Sequence, residues 1–128
     1  MAYDVHLEQS ATRHYQDGKL LMDNRRLDAA GYHFGFAAEC AIKHLMREAG
    51  VMTDDPAIWA HFPGLRVLAL QSISGRMAGP LRTLLERENF MQLWDVRMRY
   101  APNGSIEADK VERWRGDADA AIGCLYRL

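Results

Sequence analysis

The sequence predicts an all-α protein, an up-down bundle of about five helices, and three observations carry that prediction. Apolar residues recur at helical spacing over long stretches. Glycine and proline punctuate the chain between those stretches, and no pair of alternating segments competes for a sheet. With 128 residues, 48% of them hydrophobic and 26% charged, the chain has the size and composition of one ordinary globular domain. It shows no internal repeat, low-complexity tract or linker, so residues 1–128 are read as a single unit.

The first helix is expected from Val5 to Met22, with Leu7, Ala11, Tyr15, Gly18 and Leu21 on one face. A polar break follows at Asp23-Asn24-Arg25-Arg26. The second helix, Leu27 to Ala49, is apolar almost all round through Phe34-Gly35-Phe36-Ala37-Ala38 and Ala41-Ile42, the character of the central helix of a bundle. Gly50 is its stop signal. Residues 51–61 read as a loop containing Pro56 and Trp59, and a short helix is expected from Phe62 to Ser74, with Pro63 near its first turn. A fourth helix is expected from Leu81 to Tyr100, with a candidate break at Glu88-Asn89. Ala101-Pro102-Asn103-Gly104 is a turn, Ser105 reads as an N-cap, and Glu107 and Asp109 complement the dipole of the last helix. That helix carries Val111, Trp114, Ala118, Ala121, Ile122 and Leu125 as an amphipathic stripe.

Composition narrows the function. Sixteen basic and 17 acidic residues leave a net charge of -1, so no whole-molecule field draws the chain to nucleic acid. Thirteen of the 16 basic residues are arginine, the side chain suited to bidentate phosphate contact, so local patches stay open. Cys40 and Cys124 sit in apolar helical contexts and read as buried free thiols. The N-terminal residues lack the pattern of a signal peptide, and no apolar run approaches the ~18 residues of a membrane span. A cytoplasmic protein is the expectation.

Two stretches could carry chemistry. In Ala37-Ala38-Glu39-Cys40-Ala41-Ile42-Lys43, Glu39 and Lys43 are four apart and share one helix face. On so apolar a helix Glu39 needs a cationic or hydrogen-bonding partner, and Arg97 and Arg99 are the candidates. Gly31 and Gly35 leave two gaps on the same helix, for close packing inside the bundle or across a dimer. In Trp94-Asp95-Val96-Arg97-Met98-Arg99-Tyr100, Asp95 and Arg99 lie one turn apart. Two arginines beside an aromatic suit a phosphate or a stacked base. The plain structural alternative is that these arginines satisfy Asp95, Glu39 and helix-end carbonyls.

Other chemistries fit poorly. No His-Glu-x-x-His or comparable metal-ligand spacing occurs, neither cysteine has an activating context, and no Gly-rich loop follows a strand. No metal or cofactor is expected. His61, ahead of Phe62-Pro63, reads as a helix-entry or loop anchor, and His33 and His44 as interior or edge histidines. Tyr32, Phe34 and Phe36 read as core.

Taken together, Arg26-x-x-x-Ala30, Gly35-x-Ala37-x-Glu39-x-Ala41-x-Lys43, His61-x-Pro63-x-Leu65 and Arg99-Tyr100-Ala101-Pro102 resemble the HEPN family, over residues 5–126. The resemblance implies a helical bundle, a homodimer, a nucleotide or RNA ligand, and in many members ribonuclease activity beside a nucleotidyltransferase partner in toxin–antitoxin or defence systems. Ribonuclease members carry an arginine followed four to six residues later by histidine in the later helices. Here all five histidines lie between His6 and His61, so the standard site is absent and catalytic residues stay unassigned. The resemblance therefore implies ligand binding through Arg97, Arg99 and Tyr100 with Asp95, organised by Glu39 and Lys43, without standard ribonuclease activity. Two alternatives remain: a ribonuclease using a displaced base such as His61 or His33, and a non-catalytic dimerisation or protein-interaction module.

Overall fold

The structure is a computed structural model that describes residues 3–50, 59–72 and 79–126. Among these residues it is all-helical: α1 (Leu7–Asp23), α2 (Leu27–Glu48), α3 (Gly64–Ser72), α4 (Gly79–Glu86), a 3₁₀ helix (Val96–Tyr100) and α5 (Ala108–Cys124). No described helix is long and apolar enough to cross a membrane.

α1 and α2 form an antiparallel pair, since His14 meets His33 and Glu8 meets His44. The contact is close at Gly18, where a Cβ would lie 2.8 Å from the Phe34 ring, and Ala11, Ala30, Ala37, Ala38 and Ala41 are fully buried on the two helices. Each such position costs little side-chain entropy while letting larger neighbours approach. α2 is the central helix, burying Phe34, Ile42 and Met46. It ends at Gly50, whose φ of 77° is the left-handed conformation that closes a helix.

α5 covers α2 and α1 with Val111, Trp114, Ala118 and Ala121, all buried, as its apolar stripe predicts. Its start differs from expectation. The N-cap is Glu107, which makes no side-chain cap bond, while Ser105 Oγ donates to the Pro102 carbonyl at 2.6 Å and closes the preceding turn instead. The residues of that turn are pinned to α2 by Asp28, which accepts from the N–H groups of Gly104 (2.8 Å) and Ile106 (3.1 Å).

The expected fourth helix is two elements, not one. α4 stops at Glu86, an irregular segment follows, and only Val96–Tyr100 resumes as a 3₁₀ turn. The reason is Trp94. Its indole, 2% exposed, occupies the gap left by Gly35 on α2, where a Cβ would lie 1.9 Å from Trp94 Cε2, while the gap at Gly31 takes the Trp114 ring of α5, 3.0 Å from the position of a Cβ. Trp94 Nε1 donates to the Gly31 carbonyl at 3.0 Å. Seating that ring takes the chain out of helical conformation, with Met91 (φ 51°) and Leu93 (φ 69°) left-handed. The buried Asp117 of α5 holds the segment, accepting from Met91 N–H and from Arg87 Nη2, each at 2.8 Å. Burial raises the Asp117 pKa, and these donors oppose the rise. The two glycines of α2 thus serve packing within this chain.

The short helix expected at 62–74 is α3, with residues 73 and 74 outside the described residues. The loop expected at 51–61 lies outside them up to residue 58. Trp59, which follows, is 62% exposed. Cys40 and Cys124 are buried free thiols, and burial pushes the Cys40 thiol up to about 11.

Candidate functional site

A cleft of about 460 Å³ opens where the N-terminus of α2 meets the 3₁₀ helix. One wall comes from the turn between α1 and α2, with Arg25 and Arg26. The other comes from Met98, Arg99 and Asn103, and Tyr32 forms part of the lining. The turn is tight: Arg25 takes a left-handed φ of 60°, and Arg26 N–H returns to the Leu21 carbonyl at 2.8 Å. Arg26 is the N-cap of α2 and supplies no side-chain cap bond. The positive end of a 22-residue helix therefore faces the same opening as three arginines. The acidic group in the lining, Asp28, is already engaged by the Gly104 and Ile106 amides.

Arg99 is held in place. Its Nη1 donates to Tyr32 Oη at 3.0 Å, and its guanidinium carbon lies 5.9 Å from the Tyr32 ring centre and 5.2 Å from that of Tyr100. A guanidinium lodged between two phenol rings keeps its remaining donors for a ligand at reduced ordering cost. Tyr100 is 77% exposed beside it. Tyr32 stacks on Trp94 with centroids 6.0 Å apart, which ties the cleft wall to the core.

Arg97 and Asp95 form a neighbouring pair. Arg97 Nε and Nη2 donate to the two Asp95 oxygens at 3.0 and 2.9 Å, and Arg97 N–H donates to Asp95 Oδ1 at 2.8 Å. These bonds hold the Asp95 carboxyl below its ordinary range. The expected Asp95–Arg99 pairing does not form, because in the 3₁₀ turn Asp95 is the N-cap and faces Arg97.

Glu39 and Lys43 do not organise the arginines. Both are buried on α2, Glu39 seven residues beyond Tyr32 and so about 10 Å further along the axis. Glu39 Oε1 pairs with His61 Nδ1 at 2.9 Å, and Oε2 accepts from Phe62 N–H at 2.7 Å. Burial raises the Glu39 pKa, partly offset by His61, the Phe62 amide and Lys43. Burial likewise lowers the Lys43 pKa, opposed by Glu39.

Of the six residues expected at a site, the structure brings Arg99 to the cleft lining, with Tyr100 against its guanidinium and Asp95 and Arg97 in the adjoining 3₁₀ turn, and sends Glu39 and Lys43 elsewhere. Sequence reading missed Arg25, Tyr32 and Asn103 as lining residues. The polar break Asp23-Asn24-Arg25-Arg26 was the available signal. His33, expected at the interior or edge, is half-buried with its Nδ1 3.0 Å from His14 Nδ1. Comparisons with protein-family models, curated proteins and solved structures give no match.

Proposed function

We propose that this chain is a HEPN-like helical domain that binds the phosphate of a nucleotide or RNA in the cleft between the start of α2 and the 3₁₀ helix. The observation that carries the reading is Arg99, oriented by the Tyr32 hydroxyl and facing a cleft that Arg25, Arg26 and the α2 N-terminus make positive. Arg99 and Arg25 would contact phosphate oxygens, with Tyr32 and Tyr100 offering faces for a base. A net charge of -1 confines attraction to this locality and favours selective binding of a short stretch. Homodimer formation and a nucleotidyltransferase partner in a toxin–antitoxin pair belong to the same reading and rest on the resemblance, whereas a cytoplasmic location rests on the sequence pattern.

The test is fluorescence anisotropy with a labelled short oligoribonucleotide, competed by ATP. Arg99→Ala removes a charge-assisted contact of about 1.5–3 kcal/mol, a loss of roughly 10- to 100-fold in affinity. Two phosphate contacts predict a slope of log affinity against log salt of about -1.4 for a single strand. Arg113→Ala, on the exposed side of α5, should bind as the wild type does. Equal affinity in folded Arg99→Ala and Tyr32→Ala variants would remove the basis of the proposal.

A further inference from the structure

His14 on α1 and His33 on α2 meet across the helix pair with their Nδ1 atoms 3.0 Å apart. The close approach of the helices at Gly18 and Phe34 fixes the two backbones beneath them. Both rings are braced. His14 packs on Phe36 with centroids 5.1 Å apart, and His33 meets the Tyr32 ring edge-on at 5.8 Å. Among the described residues no hydrogen bond reaches either Nε2, and no buried side-chain nitrogen lacks a partner, so both Nε2 atoms reach solvent. Burial, followed by the charges of His33 and Arg13, lowers the His14 pKa to about 4, while Asp17 acts to raise it. His14 is therefore unprotonated at neutral pH, the form in which imidazole binds a metal ion. Arg13 donates to Ser10 Oγ at 3.4 Å, and Asp17, one turn from His14 on α1, is exposed.

We propose that the His14–His33 pair is a cross-helix site for a divalent transition metal, Cu(II) or Ni(II), bound through the two Nδ1 atoms. Nitrogens 3.0 Å apart, each about 2.0–2.1 Å from a metal, subtend about 95° at it. That suits adjacent positions of a tetragonal Cu(II) or Ni(II) site, about 90° apart, better than the wider angle of tetrahedral Zn(II). Imidazole is a ligand these ions favour, whereas Mg(II) and Ca(II) take oxygen. With both rings neutral, the single Nδ1 proton of the pair moves through solvent to Nε2 of its own ring, and both Nδ1 lone pairs then serve the metal. Among the described residues no third histidine, cysteine or carboxylate completes a ligand set, so water fills the remaining positions. Asp17, whose charge already acts on His14, favours a cation there. The two ligands lie 19 residues apart on different helices, a separation that no short metal motif contains. Neither histidine lines the arginine cleft, so this site stands apart from the binding reading.

The experiment titrates the full, untagged chain with Ni(II) by isothermal calorimetry and with Cu(II) by electron paramagnetic resonance. One equivalent of Ni(II) should bind and raise Tm, because the metal clips α1 to α2 only in the folded state, and Mg(II) should do neither. The Cu(II) spectrum should show coupling to two imidazole nitrogens. His14→Phe keeps a ring against Phe36, and His33→Ala leaves His14 in place. Each should fold by circular dichroism, bind Ni(II) roughly 100-fold more weakly or worse, and lose the two-nitrogen pattern. His44→Ala is the control, since that histidine faces Glu8 and Glu48 elsewhere along the pair, and it should bind as the wild type does. Absence of Ni(II) binding up to millimolar concentration overturns the proposal, as does a wild-type Cu(II) spectrum without two coupled nitrogens. Binding that survives in either folded variant, or that falls with His44→Ala, overturns it equally.

Discussion

Replacing Gly35 with alanine tests the packing that places the candidate site. The new Cβ would sit 1.9 Å from Trp94 Cε2 and 2.0 Å from Nε1, so either the indole or α2 must move. Alanine's better helix propensity returns about 1 kcal/mol. Against it stand overpacking of a rigid ring, at about 1–3 kcal/mol or more, and loss of the indole bond to the Gly31 carbonyl, at about 1 kcal/mol. A net destabilisation of about 1–3 kcal/mol or more follows, or roughly 4–12 °C in Tm for a domain of this size. Urea denaturation followed by tryptophan fluorescence and circular dichroism measures it. Gly116→Ala is the control: that helical position on α5 has nothing within 4 Å of an added Cβ, and the change should stabilise by up to about 1 kcal/mol. Trp94→Leu removes the obstructing ring, so the Gly35→Ala/Trp94→Leu double variant should lose at least about 1 kcal/mol less than the sum of the singles. Because Trp94 immediately precedes Asp95 and the 3₁₀ helix, Gly35→Ala should also weaken the nucleotide binding proposed for the cleft. A Gly35→Ala variant as stable as Gly116→Ala, or strict additivity with Trp94→Leu, would refute the reasoning.

Further expectations follow from individual contacts. Asp28→Ala frees the Gly104 and Ile106 amides and should cost about 1–3 kcal/mol in chemical denaturation, with faster amide exchange around Gly104. His14 lies against His33 and Phe36, and burial, followed by the charges of His33 and Arg13, lowers its pKa from 6.5 to about 4. The unfolded chain therefore binds the proton first as pH falls. The stability this adds is complete above pH 6.5 and lost between there and about pH 4. In full it would be about 3 kcal/mol, or about 1–2 after allowing for partial solvent access. The raised pKa values of Glu39 and Asp117 act in the opposite sense, so the readout is the difference between wild type and His14→Phe in urea midpoints across pH 4–7. A difference that stays flat with pH contradicts the assignment. Cys40, buried and pushed up to about 11, should label with a thiol reagent at pH 8 at least 100-fold more slowly in the native than in the urea-unfolded protein. Comparable rates would show the thiol to be accessible.

The bundle was legible where one periodicity ran unopposed. α1, α2 and α5 announce themselves because Leu7/Ala11/Gly18, Phe34/Ile42/Met46 and Val111/Trp114/Ala118 repeat at the helical interval and are buried together. The segment after Glu86 misleads for the same reason. Phe90, Met91 and Trp94 have helical spacing and are buried, but they reach the core through an irregular chain that Asp117 and the α2 glycines hold in place. That is tertiary structure overriding local pattern. The candidate site was half legible. Arg99 and Tyr100 stood out beside a turn, whereas Arg25 looked like part of a mere helix break. Glu39 was recognised as needing a partner. Its actual partner, His61, is 22 residues away, and no spacing rule supplies a pairing at that distance.

The most direct test of the arginine cleft is an amide-resolved NMR titration of the full chain with ATP and with a short oligoribonucleotide. Shift changes should concentrate at Arg25–Ala29, Tyr32 and Met98–Asn103, including the Arg99 side-chain Nε–H, and should collapse in Arg99→Ala. Shifts centred on another face, or none at ligand concentrations up to millimolar, would contradict the cleft as the binding site.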